Sequence, residues 1–236
     1  MSYCPLSPVP LSQDGRPALD LGAGTGAASR AIGRAGGGPV VAVDVSLGML
    51  DTGRAGRPPA AVAHACRLPF PDRSLGGVVA AFSLTHLDDP VPALVEARRV
   101  TSAGGAVLAS SYAEDDYHPV KAAVDDALAA AGWSPPPWFD HLRTVALPAL
   151  ARPDRCARVA REAGLNGSVH AVRVPFRDLG PRALVEWRLG LAQAAPYVAT
   201  LAADERTALV EEALARLGDA PPPLLRSVLV IAAVAR

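Results

Sequence analysis

With 236 residues, half of them hydrophobic, the chain can fill one α/β domain over 1–236 with insertions. Its formal net charge is zero and no basic stripe is visible, which excludes the electrostatic footprint of a nucleic-acid binder. Cys4, Cys66 and Cys156 are odd in number and far apart. That excludes a disulfide framework or a zinc-type spacing, and it fits reduced thiols in a cytoplasm.

The first segment holds Pro5, Pro8, Pro10 and Pro17 and lacks the basic-then-apolar pattern of a signal peptide. Strand and helix signals then alternate. A strand is predicted near 17–21, a helix near 25–35, a strand at 40–44 and a helix from about 46. A short strand near 60–64, a buried strand at 75–82 and a helix at 91–100 follow. Gly104-Gly105 is expected to turn into a strand at 106–110. This alternation predicts βαβ units and a parallel sheet. The apolar run at 78–84 is too short to span a bilayer, so no membrane segment is expected.

The second half changes texture. Residues 112–150 carry Pro135-Pro136-Pro137, two tryptophans and two histidines, and read as an insertion. A short helix at 155–163, a strand at 169–176, helical pieces over 181–217 and a last strand at 228–234 are expected.

The densest local signal is Leu19-Asp20-Leu21-Gly22-Ala23-Gly24-Thr25-Gly26. Apolar residues run into an acid and then into alternating glycines, as in a strand that turns tightly into a helix. Glycine there lets the backbone approach a ligand. Gly22, Gly24 and Ala27 also satisfy the dinucleotide fingerprint, and Asp44 closes the next strand, where an acid accepts ribose hydroxyls. These features indicate an adenosine cofactor and leave a nicotinamide oxidoreductase open. Asp20 opposes that reading, because a carboxylate beside the turn repels a pyrophosphate and favours an ammonium group. S-adenosylmethionine carries the ammonium and no phosphate.

These residues resemble the class I S-adenosylmethionine-dependent methyltransferases. The glycine segment is similar to their first motif, and Val43-Asp44-Val45-Ser46-Leu47-Gly48-Met49-Leu50 to their ribose segment. Leu68-Pro69-Phe70-Pro71-Asp72-Arg73-Ser74, Phe82 to Pro90 and Glu96-Ala97-Arg98-Arg99-Val100 resemble later motifs, so the likeness covers about 17–112. It implies a doubly wound, seven-stranded, mostly parallel Rossmann-like sheet with helical cap insertions near 112–150 and 177–223. It also implies that Asp20, Gly22 and Gly24 hold the methionine part, and that Asp44 takes the ribose. Val45, Met49, Ala65 and Cys66 would border the adenine, with the Phe82 backbone near the amino group. Core packing is the bland reading for Met49 and Phe82, and for Met49 it is as good a reading. His64 stands where the family commonly has an adenine-binding Asp, and a structural histidine is as good a reading. Only about sixteen residues precede the first strand, fewer than in many relatives, so a cover over the cofactor is expected from the insertions, from a partner chain, or not at all.

For the reaction, His86 at the exit of the fourth strand is the candidate base, since ligands gather at the carboxyl ends of strands. A histidine that caps Asp88 is the bland alternative. Asp115, Asp116, Tyr117 and His118 read as a surface charge cluster or as further cleft residues. Tyr112, Trp133, Trp138, Phe139 and Trp187 are candidate acceptor walls or the small core of the inserted segments. The reading is methyl transfer to a small, apolar or aromatic metabolite, of a secondary-metabolism kind, with no metal. The 177–223 block is suited to a lid or a homodimer surface. A non-methylating cyclase or isomerase, a nicotinamide oxidoreductase and a binding module with a degenerate site are the alternatives.

Overall fold

The computed structural model describes residues 15–36, 38–52, 54 and 56–236. Cys4, Pro5, Pro8 and Pro10 of the short leading segment lie outside the described residues. In chain order the strands are β1 (Ala18–Leu21), β2 (Val40–Asp44), β3 (Ala60–Val62), β4 (Leu75–Ala81), β5 (Thr101–Tyr112), β6 (Asn166–Phe176) and β7 (Leu224–Val234). The helices are α1 (Ala27–Arg34), α2 (Leu47–Asp51), α3 (Val91–Val100), α4 (Pro119–Ala130), α5 (Pro137–His141) and α6 (Leu147–Ala149). They continue with α7 (Pro153–Glu162), α8 (Pro181–Leu189), α9 (Ala195–Val198) and α10 (Ala203–Leu217). A π-helical stretch, Leu142–Ala146, joins α5 to α6.

One seven-stranded sheet forms, in the order β3-β2-β1-β4-β5-β7-β6. β1 pairs in parallel with β2 and β4, β2 with β3, and β4 with β5. The amides of Gly104 and Ala235 each meet a carbonyl of the other strand, Ala235 O and Gly105 O, at 2.9 Å. The start of β5 therefore meets the end of β7, and that pair is antiparallel. β1 is buried at all four positions, as expected for a strand covered on both faces.

β5 begins earlier than expected. Gly104-Gly105 does not turn into a strand but lies inside one that starts at Thr101, directly after α3. Leu75 pairs with Thr101, and the register then jumps so that Gly77 pairs with Ala106. A Cβ on Gly105 would stand 2.3 Å from the Gly76 carbonyl oxygen, so the bulge requires glycine there.

The chain divides into two compact units. Among the described residues the first comprises those up to 113, 146–171 and 229–236, and the second 114–145 and 172–228. The first unit's core gathers Leu19, Leu21, Val78, Leu94, Val107 and Leu229. In the second unit α4, α8 and α10 pack on one another through Val124, Leu128, Leu184, Leu189 and Leu209. No helix among the described residues is long and apolar enough to cross a membrane. No group of His, Cys, Asp and Glu among them could hold a metal ion.

Candidate functional site

The carboxyl ends of β1, β2 and β4 open onto a cleft of about 540 Å³ in the first unit. Gly22, Gly24, Asp44, Val45, Met49, His64, Ala65, Phe82 and His86 all line it. Residues between positions 21 and 87 are thus brought to one place by the parallel pairing of β1 with β2 and β4 and of β2 with β3, which puts the exits of these four strands on the same edge.

The glycine turn is shaped by close approach. Gly22 has φ +71°, and a Cβ on it would fall 2.3 Å from the Ser83 Cβ. Ser83 Oγ donates to the Leu21 carbonyl at 2.6 Å, tying the exit of β4 to that of β1. Ser83 and Thr25 also line the cleft, and the sequence alone does not mark them as site residues.

Asp44 is fixed by backbone donors. Its Oδ2 accepts from Gly24 N and its Oδ1 from Ser46 N, both at 2.8 Å. A carboxylate offers about four lone-pair sites, so about two remain for incoming hydroxyls. That is the capacity a ribose diol needs.

Asp20 is fully buried and does not line the cleft. Its Oδ2 accepts from Ser29 Oγ at 2.5 Å, while Oδ1 has no hydrogen-bond partner. Burial pushes its carboxyl above the ordinary value, opposed by hydrogen bonds from Ser29; the Asp44 charge adds to the rise and Arg57 opposes it. An orphaned buried carboxylate oxygen is costly, and a nearby ligand cation would offset that cost electrostatically. The donor set and the free acceptors therefore fit an ammonium-bearing adenosine compound.

Phe82, a non-glycine residue, has φ +58° at the exit of β4. Its N–H donates to Ser110 O and Ser110 Oγ, both at 3.2 Å, and its carbonyl accepts from Thr85 Oγ1 at 2.8 Å. Backbone held in a sparsely populated region marks functional turns. Its ring stacks on Tyr112 with centroids 4.5 Å apart. Tyr112 itself does not line the cleft.

The loop after β3 carries His64, Ala65 and Cys66. Cys66 N–H donates to His64 Nδ1 at 3.2 Å. Cys66 is half-buried and does not line the cleft. Burial pushes its thiol up, with the charges of Asp89 and Glu96 adding. Arg99 holds the downstream part of the loop by donating to Leu68 O, Phe70 O and Asp72. His86, in a short 3-10 turn at Leu84–His86, is exposed in the cleft.

The remaining candidates belong to the second unit and are described within it. Trp133 and Trp187 pack on that unit's core, Trp138 is about half exposed at 49%, and Phe139 meets it edge-on. Asp116 and His118 are not a surface charge cluster. The Asp116 carboxylate is buried and accepts from Arg226, Lys121 and Ser227 N. His118 caps α4 through Nδ1 and reaches Pro222 O through Nε2 at 2.8 Å.

A Rossmann-like sheet with a glycine turn after β1 and an acid at the end of β2 defines a nucleotide-cofactor enzyme class, and comparison with known proteins refines it. Residues 19–109 match the family described as a methyltransferase domain. The demethylmenaquinone methyltransferase of Mycolicibacterium paratuberculosis is 33% identical over 180 residues, which span 60% of this chain and 78% of that protein. The chain belongs to the class I S-adenosylmethionine-dependent methyltransferase family, and S-adenosylmethionine is its cofactor.

Demethylmenaquinone methyltransferases from Renibacterium salmoninarum and Streptomyces avermitilis are 36% and 38% identical over 116 and 120 residues. Those matches cover 48% and 49% of this chain and 48% and 52% of the relatives, so the chain spans about half the length of these curated proteins. Among solved structures, a SAM-dependent methyltransferase from Aquifex aeolicus superposes with TM-score 0.53 at 14% identity, over 97% of this chain and 86% of that one. The cyclase SpnF superposes with TM-score 0.54 at 18% identity, over 93% and 75%. These likenesses show the fold.

Proposed function

We propose that the protein transfers the methyl group of S-adenosylmethionine to a small aromatic acceptor of the quinone class. One observation carries the reading: His86 is exposed in the same cleft as Gly22, Gly24 and Asp44. The names of the relatives support a demethylmenaquinone-like acceptor. When bound, the cofactor supplies an electrophilic methyl group on a sulfonium.

Asp44 accepts the ribose hydroxyls, and the turn at Gly22 and Gly24 lets the backbone approach the methionine part. The buried charge of Asp20 favours the ammonium. His86 takes the proton that the acceptor's hydroxyl or ring carbon gives up as its new bond to the methyl carbon forms. Holding the acceptor in line with that bond supplies much of the remaining rate.

The test is incubation with S-adenosylmethionine and a reduced demethylmenaquinone, read by mass spectrometry. A product heavier by one methylene, with S-adenosylhomocysteine in equal amount, is expected. His86→Ala should lower kcat by about a hundredfold or more and leave S-adenosylhomocysteine affinity unchanged. An acceptor rearranged at constant mass with S-adenosylhomocysteine bound would replace this reading by a non-methylating cyclase or isomerase.

A further inference from the structure

Phe82 is held from several sides in a conformation it would not choose. It is half-buried with φ +58°, a left-handed backbone that is unfavourable for a bulky side chain. Its N–H donates to Ser110 O and Oγ, and Thr85 Oγ1 donates to its carbonyl. Two residues beyond Ser110 on β5, and so on the same face of that strand, Tyr112 lays its ring on the Phe82 ring with centroids 4.5 Å apart and planes 25° apart. Turning φ carries the Cα–Cβ bond with it, so a ring pinned by a stack resists relaxation of the backbone. The next residue, Ser83, passes that conformation to the glycine turn. Its Oγ donates to Leu21 O at 2.6 Å, and its side chain fills the space that a Cβ on Gly22 would need. Leu21, Gly22, Phe82 and Ser83 all line the cleft.

We infer that Tyr112 is a positioning residue for the cofactor: its ring holds Phe82 left-handed, which keeps Ser83 against Gly22 and the turn in its binding form. This role rests on the cofactor reading of the cleft. Tyr112 does not itself line the cleft, so it acts through Phe82 and not by touching the ligand. Without the stack, the free chain populates a form in which Phe82 relaxes to negative φ. The apparent dissociation constant then rises by the inverse of the fraction that remains competent. A stacked aromatic pair shifts such an equilibrium by a factor of about two to twelve. Glycine adopts positive φ about as readily as negative, so a glycine at position 82 has no need of the clamp.

The experiment is calorimetric titration of the full chain with S-adenosylhomocysteine, each variant being checked by its melting curve. Tyr112→Leu keeps apolar bulk without a flat ring and should weaken binding by about tenfold. Tyr112→Phe keeps the ring and should bind within about threefold of the parent. Adding Phe82→Gly to Tyr112→Leu should tighten binding again by about threefold or more, although it removes a further side chain. A ring that only packs would leave the double variant as weak as the single one or weaker. Should Tyr112→Leu fail to fold, Tyr112→Ile, better suited to a strand, decides by the same limits. A Tyr112→Leu protein within about twofold of the parent overturns the inference, and so does a double variant no tighter than the single one. Tyr112→Phe binding as weakly as Tyr112→Leu assigns the effect to the hydroxyl and overturns it as well. In each of those cases the parent still binds and the cofactor reading stands. A parent that binds no S-adenosylhomocysteine overturns that reading itself.

Discussion

Ser29 Oγ lies 2.5 Å from Asp20 Oδ2, joining the first turn of α1 to the last turn-facing acid of β1. The bond satisfies one oxygen of a carboxylate whose other oxygen has no partner. Because burial raises this acid, the folded state protonates it more readily than the unfolded chain does. Its contribution to stability is therefore full below the ordinary value of 3.8 and is lost as pH rises through the raised value. Asp20→Asn should remove that loss. The variant is expected to melt at or above the parent temperature at neutral pH, yet to bind S-adenosylhomocysteine at least about tenfold more weakly. Melting curves from about pH 4 upward, with calorimetry, check both halves.

Asp44 offers a sharper loss. Asp44→Asn keeps one acceptor oxygen but loses the charge that serves Gly24 N and Ser46 N. Hydrogen bonds to charged groups contribute about 1.5–3 kcal/mol, so affinity for S-adenosylhomocysteine should fall by about ten- to a hundredfold. Titration of the ribose 2′-deoxy compound decides whether the diol is the cause. The parent should lose affinity on removal of that hydroxyl, and the variant should lose little more.

The Arg99–Glu96 pair should stabilise the loop that follows His64. Arg99 Nε meets Glu96 Oε1 at 2.6 Å and Nη2 meets Oε2 at 2.8 Å, while Leu68 N–H donates to Oε2. The Arg99 hydrogen bonds hold the Glu96 carboxyl below its ordinary 4.5, with burial opposing. For a depressed acid the stabilisation is present above the ordinary value and is lost as pH falls through the lowered one. Glu96→Gln should cost about 1–2 kcal/mol at neutral pH, discounted for partial exposure, and the gap should close in acid. Denaturant titrations at both pH values measure it.

In the second unit, Asp116→Ala should be severe. It removes the carboxylate shared by Arg226 and Lys121, which is 4% exposed. Removing one member of a buried pair costs about 3 kcal/mol. All three tryptophans, Trp133, Trp138 and Trp187, belong to this unit, so tryptophan emission, excited beyond the tyrosine band, reports it alone. The emission midpoint in urea should drop. A conservative Asp116→Glu should recover part of it.

Much of the first unit is legible in the chain because its signals are local. The turn at Gly22 and Gly24, the acid Asp44 and the strand–helix alternation each lie within a few residues, and β1, β2, β4 and α3 stand where those signals place them. Thr101 at the start of β5 is not legible, since the bulge depends on how closely Gly105 meets Gly76 across the pair. Asp116 and His118 mislead for a similar reason. Their partners Arg226 and Pro222 lie 110 and 104 positions away, and a charged residue bound so far along the chain carries the local pattern of an exposed one. Ser29 is missed because a helix-start serine has many ordinary uses.

The amino-acid sequence by itself determines the cofactor address: glycines where a backbone must turn and close in, and acids placed before and after that turn. Covalent spacing sets those positions, so no distant contact is needed to read them. Only the tertiary structure decides what the polar groups do. It buries Asp20 and orphans one oxygen, spends two of the Asp44 lone pairs on backbone, and sets His64 Nδ1 as the acceptor of the Cys66 amide. Hydrogen-bond polarity and burial are properties of neighbours in space, and the fold supplies the neighbours.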